Sequence, residues 1–386
     1  LPPPDRARAR RLAALVLRHL EPADRVLAPL LRKAPPAEVR HALRHALRLA
    51  VVEMAVGGAA AHGAVNAAVE IVRRGNRTGH LAGLANAVLR KVAEMPAPFA
   101  ALPPQRMPQW LRQPLVHAWG REAVSAMEAI QAAEPPLDLT PRAEGVVVPG
   151  AELLPTGSLR IAAHVQVSTL DGYAEGRWWV QDAGAALAAR VLAPAPGENV
   201  VDLCAAPGGK TMQMAAMGAR VTAVDISGPR LARLRANLTR TGLAAEVITA
   251  DALHWEPPGP VDAVLLDAPC SATGTIRRHP DLPFVKNADD LPALIALQAA
   301  LIDRALGFLR PGGRLVYCVC SLLPEEGEGQ LAAALIRHSG LAPVAPIVPG
   351  LDDRWRCAPG ALRLRPDHWA EVGGIDGFFI ASLRKA

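Results

Sequence analysis

Residues 202–211, DLCAAPGGKT, follow an apolar run, ENVV (198–201), and lead into a segment with helical composition. Apolar run, glycine turn and helix in that order make the first crossover of a doubly wound sheet. Working outward, RVTAVDI (220–226), AEVITA (245–250), VDAVLLD (261–267) and GRLVYCVC (313–320) read as further strands. Helical stretches at 229–239 and 291–309 separate them, and DGFFIASLRK (376–385) adds a strand predicted at the sheet edge. The alternation predicts an α/β doubly wound, largely parallel, Rossmann-like sheet.

Ligands of such sheets bind beyond the carboxyl ends of the strands. The loop Cys204, Ala205, Ala206, Pro207, Gly208, Gly209, Lys210 occupies that place after the first strand. Its two glycines are expected to let backbone approach a ligand, and the helix start to favour negative groups. Asp225, Asp251 and Asp267 end the next three strands. Asp225 suits ribose hydroxyls and Asp251 the edge of an adenine. The glycine turn alone is neither G-x-G-x-x-G nor a Walker loop; the three carboxylates make the pattern one of nucleotide-cofactor binding.

Two thiols stand near this edge, Cys270 in DAPCSATG (267–274) and Cys320 in YCVCS (317–321). Cytosine C5 is a poor nucleophile until a thiolate adds at C6. A thiol beside a methyl donor is therefore what a C5 pyrimidine methyltransferase requires. Amino-group methylation needs no thiol and usually shows Asn/Asp-Pro-Pro-aromatic, where this chain has Asp267-Ala268-Pro269-Cys270. A nicotinamide dehydrogenase would share the strand-end carboxylate and leave both cysteine motifs unexplained.

Across 386 residues, 51% hydrophobic, there is no 18-residue uncharged apolar run, so no membrane-spanning helix is predicted. The segment LPPPDRARARR (1–11) lacks the apolar region of a secretory signal. Cysteines 204, 270, 318, 320 and 357 show no disulfide-scaffold spacing, and Cys318-x-Cys320 has no second Cys/His pair at ligand spacing. A reducing cytoplasm, no metal and a monomer are expected.

The net charge of +6 is uneven: residues 1–100 carry 16 Lys/Arg against 7 Asp/Glu. That imbalance points to a polyanion handled by the N-terminal part. The 37 arginines against 5 lysines equally fit a compositional bias on ordinary solvated faces. Residues 5–97 read as helices only, with core stripes at Leu12, Leu15, Val16 and Leu20 and at Val39, Leu43 and Leu47. Beside the second stripe, Arg40, Arg44 and Arg48 form a ladder able to track a phosphate backbone. MPAPFAALPP (95–104) reads as a linker, followed by a helix (110–131) and short strands LDLTP (137–141), GVVVPG (145–150) and SLRIAAHVQ (158–166).

DLCAAPGGKT, AVDI (223–226), LLDAPCSATGTIRRHPD (265–281), LVYCVCSLLPEEGE (315–328) and DGFFIASLRK resemble the RsmB/Sun branch of the NOL/NOP/Sun RNA methyltransferases. VQDAGAALAARVL (180–192) is similar to that family's approach to the cofactor loop. HGAVNAAVEIVRR (62–74) and GLANAVLRKV (83–92) resemble the NusB-like domain of this branch. The resemblance covers nearly the whole chain. It implies an all-α NusB-like domain (1–97), a small α/β RRM-like domain (105–176) and a class I methyltransferase domain (177–386).

It further implies S-adenosylmethionine as cofactor and a cytosine of 16S ribosomal RNA as substrate. By position, Cys204–Lys210, Asp225, Asp251 and Asp267 bind the cofactor, with Asp267 also touching the cytosine. The resemblance makes Cys320 the nucleophile and Cys270 the thiol that assists release, the reverse of the Pro-Cys arrangement in DNA C5 methyltransferases. A non-catalytic RNA-binding factor is the rival reading, and it leaves Cys320 and Asp267 without a purpose. Val319 departs from the family's usual Thr before the nucleophile, LDLTPR departs from its usual LRVN-like strand, and Cys318 is an additional thiol, read as a small buried hydrophobe. Arg277, Arg278 and His279 are predicted to grip phosphates flanking the target. The acidic PEEGE (324–328) is predicted to cap the next helix.

Overall fold

The computed structural model describes residues 2–31, 37–163 and 165–386; the side chain of Val39 lies outside the described set. Helices α1 (Pro3–Arg18), α2 (Leu20–Leu27), α3 (Ala37–Ala55), α4 (Ala61–Arg74) and α5 (Ala82–Ala93) build the N-terminal unit. Apolar residues three and four apart put one face of each helix inward. Leu15, Leu43, Leu47, Val51, Val69 and Leu89 close one core, with Val16 packed at its margin.

Helix α6 (Gln109–Ala132) leads to β1 (Leu137–Pro141), β2 (Glu152–Leu153), β3 (Leu159–Ile161) and β4 (Trp178–Val180). They form an antiparallel sheet ordered β2-β3-β1-β4. The expected strand GVVVPG is instead irregular chain and turn. β4 pairs with β1, and Trp178 is buried with Leu139, Val148 and Leu159. The small unit therefore runs past residue 176, where its end was expected.

The remaining chain alternates α7 (Ala183–Leu192), β5 (Asn199–Leu203), α8 (Gly209–Ala216), β6 (Arg220–Asp225), α9 (Gly228–Thr241), β7 (Glu246–Thr249) and β8 (Val261–Asp267). It continues through α10 (Leu282–Val285), α11 (Leu291–Phe308), β9 (Leu309–Val319), α12 (Glu328–Arg337), β10 (Leu341–Pro343), β11 (Arg356–Ala358), β12 (Ala361–Leu364) and β13 (Phe378–Lys385). The strand order is β11-β12-β13-β9-β8-β5-β6-β7, with β10 also on β13. Strands β5 to β9 pair in parallel and β10 to β13 antiparallel. β13 is thus internal, not at the edge as expected. Its Phe-Phe-Ile-Ala run is buried on both faces, as an interior strand requires.

Two cores flank this sheet. Helix α11 is long and apolar enough by composition to cross a membrane. It carries Asp303 and Arg304, while its Leu301, Ile302 and Ala305 pack into the sheet core. Parallel register levels Leu203 with Val224 and Leu266, and Asp267 with Cys318. The segments carrying Cys204, Asp225, Asp267 and Cys320 thereby leave the sheet along one edge.

Candidate active site

Beyond β5 the chain turns at Cys204, in left-handed backbone at φ 60°, and again at Gly208, φ 101°. A Cβ on Gly208 would lie 2.6 Å from Leu234 Cγ, and one on Gly209 3.0 Å from Gln181 Cδ. Both glycines let the loop pack closely, Gly208 on α9 and Gly209 on Gln181. Gln181 is itself fixed, accepting from Trp179 Nε1 and donating to Gln213 Oε1, both at 2.8 Å. Ala205 and Ala206 are buried, Pro207 is exposed, and Lys210 lies in the first turn of α8.

Lys210 Nζ donates to Asp267 Oδ2 at 2.8 Å and lies 5.3 Å from the centre of the Phe378 ring. Burial pulls its pKa down, but Asp267 outweighs burial and holds it above the ordinary value, so the ammonium stays charged. Beneath the loop, buried Asp202 accepts from Thr211 Oγ1 at 2.6 Å, while its Oδ1 has no partner. Burial pushes its carboxyl up to about 7. Burial, with Asp267 next, pushes the half-buried Cys204 thiol up to about 12.

At the end of β6, Asp225 Oδ1 accepts from Ser227 N at 2.8 Å and Oδ2 from Ala206 N at 3.1 Å. Arg230 Nη1 also lies 3.4 Å from Oδ2, and Oδ1 keeps a lone pair for a further donor. The next residue, Ile226, is 71% exposed, an apolar face at the strand tip that the sequence reading passed over. Asp251, after β7, accepts from Leu253 N at 3.0 Å and remains open to solvent. Acceptors at two strand tips beside an exposed apolar side chain fit a ribose and an adenine. A cleft of about 730 Å³ lies at the amino ends of β5 and β6, the wrong end for this purpose.

Cys270 and Cys320 meet, with Sγ atoms 3.5 Å apart. Their loops are pressed together: Gly274 N donates to Cys320 O at 2.9 Å, and a Cβ on Gly274 would fall 2.0 Å from Gly377 O. The hydrogen bond to Cys320 and then burial raise the Cys270 thiol well above its ordinary value. Cys318 is buried in the core, as expected, with Sγ 3.5 Å from Asp267 Oδ1; burial raises its thiol too. Val319 lies in the opposite apolar core, where a methyl suits the surroundings.

Arg277 and Arg278 are not the phosphate grips expected. The Arg277 side chain is 0% exposed; it donates to Asp182 and Asp376, each at 2.5 Å, and to Gly373 O at 3.0 Å. Arg278 spends its donors on Asp182 at 2.6 Å, Asp376 at 3.1 Å and Pro136 O at 3.2 Å. Asp182 also caps α7 through Gly184 N. Burial would raise the Asp182 carboxyl, but Arg277 and Arg278 hold it below its usual value. His279 is exposed. Arg40 lies exposed on α3, and Arg44 and Arg48 both clasp Asp24 through two hydrogen bonds each.

The sequence reading also missed Glu326. It is fully buried. Of the PEEGE run expected at the start of the next helix, Glu328 does stand in the first turn of α12, where it pairs with Arg363 at 2.5 Å. Helix α6 was placed in the small unit, yet its Leu111, Leu115 and Met127 pack on Ile276, Leu322 and Leu323, directly behind both cysteine loops. Residue types alone gave no signal for either arrangement.

A Rossmann-like sheet with a cofactor loop at its carboxyl edge defines a methyltransferase domain, here joined to a helical unit and bearing paired thiols. Residues 189–384 match the family described as 16S rRNA methyltransferase RsmB/F, and residues 1–94 match the NusB family. Ribosomal RNA small subunit methyltransferase B of Pseudomonas syringae pv. tomato is 40% identical over 301 residues, covering 72% of this chain and 65% of that protein. Its namesake from Pseudomonas putida is 37% identical over 330 residues, covering 78% and 73%. A methyltransferase homolog protein from Pyrococcus horikoshii superposes with TM-score 0.59 at 28% identity, covering 71% of this chain and 94% of that one. The chain belongs to the RsmB/F family and spans about two thirds to three quarters of these bacterial relatives. Its cofactor is S-adenosylmethionine, which the strand-tip residues fit.

Proposed function

We propose that this chain methylates C5 of a cytosine in 16S ribosomal RNA, with Cys320 as covalent nucleophile. The observation that carries this reading is the pair of thiols 3.5 Å apart at the cofactor edge. Methylation at cytosine C5 needs a sulfur adduct at C6, and transfer to an amine does not. S-adenosylmethionine supplies a positively charged sulfonium whose methyl is the electrophile.

The target base leaves its stack to expose C6. Cys320, as thiolate, forms an S–C6 bond, and the C5–C6 π electrons make C5 nucleophilic. Asp267, steadied by Lys210, accepts from the cytosine amino edge and holds the ring. After methyl transfer C5 gives its proton to a base, and the S–C6 electron pair returns to Cys320. The Cys270 thiol stands beside the departing sulfur and assists release. Asp225 and Asp251 hold the adenosyl portion, with Ile226 against the adenine.

RNA flanking the target runs along Arg40, Arg44 and Arg48, with His279 nearer the thiols. A cleft of about 650 Å³ lined by Arg25, Arg44, Arg48, Arg106 and the exposed ring of Phe284 supports this path. Four arginines against Glu21 and Asp24, with one aromatic face, leave a net positive wall that suits a single strand. In this reading the chain works as a monomer in the cytoplasm.

The test is a denaturing gel of protein incubated with S-adenosylmethionine and unmodified 16S RNA fragments. A shifted RNA–protein band in Cys270→Ala, absent in Cys320→Ala, is the expected result. A band in Cys320→Ala alone reverses the two thiols. No band and no methyl transfer by wild type overturns the reading.

A further inference from the structure

Each reactive-loop cysteine is followed by a serine, and both serines end on one buried carboxylate. Glu326 Oε1 accepts from Ser271 N at 2.9 Å, and Oε2 accepts from Ser271 Oγ and Ser321 Oγ, each at 2.5 Å. Gln298 Nε2 donates to Glu326 Oε1 and to Pro269 O, both at 2.9 Å, gripping Cys270 from its other side. Tyr317 OH donates to the Glu326 carbonyl at 2.6 Å and fixes the turn. Thr273 Oγ1 and Ser321 Oγ accept from Leu322 N and Leu323 N, locking the chain after Cys320.

Four donors converge on a carboxylate that has no cationic partner among the described residues. A helix cap needs none of this, and an ion pair would serve stability more simply. From this geometry we infer that Glu326 is a positioning residue: it sets the spacing of Cys270 and Cys320 and keeps Cys270 as the proton-bearing partner. The inference rests on the thiol chemistry proposed above. Charge-assisted bonds to an anion are stronger than neutral ones, which suits a clasp holding two loops. The groups facing Cys270 are Cys320, Glu326 and Tyr317, with Arg363 reaching Ser321 O from β12. The negative charge of Glu326 adds to the upward pressure on the Cys270 thiol. Removing it moves ionisation of that thiol to lower pH.

The experiment uses Glu326→Gln, which keeps the shape, removes the charge and replaces one of the two accepting oxygens with a donor. Iodoacetamide labelling of the full chain, read peptide by peptide across pH, reports Cys270 and Cys320 without RNA. Cys270 is expected to label several-fold faster at a given pH. kcat is expected to fall by about tenfold to a hundredfold, the scale of misplaced reacting groups, with KM and S-adenosylmethionine affinity near wild type. An unmoved labelling profile or an unchanged kcat overturns the inference. If the variant does not fold, as read by lost S-adenosylmethionine binding, Ser271→Ala removes one clasp contact and must still lower kcat. A wild type inactive on cytosine would sink the proposed function and leave the labelling result readable by itself.

Discussion

Arg277 and Arg278 sit where three parts of the molecule meet, while Arg40, Arg44 and Arg48 run along the outside of α3. The first pair faces Asp182 before α7, Asp376 before β13, and Asp138 on β1, itself clasped by Arg160 at 2.7 and 2.8 Å. Arg18 of α1 lies close by, donating to Gln131 O at 3.2 Å. Burial, opposed by Glu134 and aided by Arg277 and Arg278, brings its pKa down to about 10. On α3, Arg44 and Arg48 share a single surface carboxylate, Asp24. What separates the two groups is the number of carboxylates brought from distant parts of the chain. Arginine cemented on both sides has nothing left for phosphate; arginine on a helix face keeps donors and water.

The largest consequence falls on Arg277. Replacing it with Met leaves Asp182 and Asp376 buried with Arg278 as their one remaining shared cation. Breaking a buried pair from one side costs about 3–5 kcal/mol. Arg277→Met is therefore expected to lower the urea midpoint sharply, whereas a loss within about 1 kcal/mol, the scale of surface pairs, would erase the contrast.

Much of this architecture was legible in the residues. Strands β5, β6, β8 and β9 declare themselves as apolar runs ending in Asp or Cys, because a parallel strand is buried on both faces. The cofactor loop and both cysteines were legible for the same reason: chemistry sits at strand tips. The internal place of β13 was not, since an FFIA run looks the same at a sheet edge and inside it. Arg277 and Glu326 were misread because their meaning depends on partners 95 and 55 positions away. Local sequence carries periodicity, not the identity of a neighbour across the fold.

Asp202 gives the intermediate case, a buried acid lacking what Asp182 has. The positive charge of Lys210 only partly offsets burial, and the folded carboxyl rests at about 7 against an ordinary 3.8. The folded state thus binds a proton that the unfolded chain releases. This contribution to stability is fully present below pH 3.8 and is lost as pH rises through about 7. Asp182 runs the other way: its lowered carboxyl adds stability above its ordinary value and loses it only in acid. Asp202→Asn is expected to flatten the decline between pH 4 and pH 7, where the slope reaches at most about 1.4 kcal/mol per pH unit. Parallel melting curves of wild type and variant across that window would place Asp202 with the neutralised group instead.

The smallest effect on stability, and the most informative about RNA, belongs to Arg44. Its side chain is 45% exposed, and Asp24 keeps Arg48 at 2.6 Å when Arg44 is gone. Arg44→Ala is expected to cost no more than about 1 kcal/mol of stability, as exposed pairs do. If α3 tracks a phosphate backbone, the same change weakens RNA binding equally for different sequences. It also reduces the slope of log affinity against log salt by about 1, one phosphate contact released. Asp24 dampens each arginine, so Asp24→Asn in the same assay is expected to strengthen binding at low salt. A salt slope unmoved by either substitution would make the ladder ordinary solvated charge, and RNA recognition would then fall to the Arg106–Phe284 cleft.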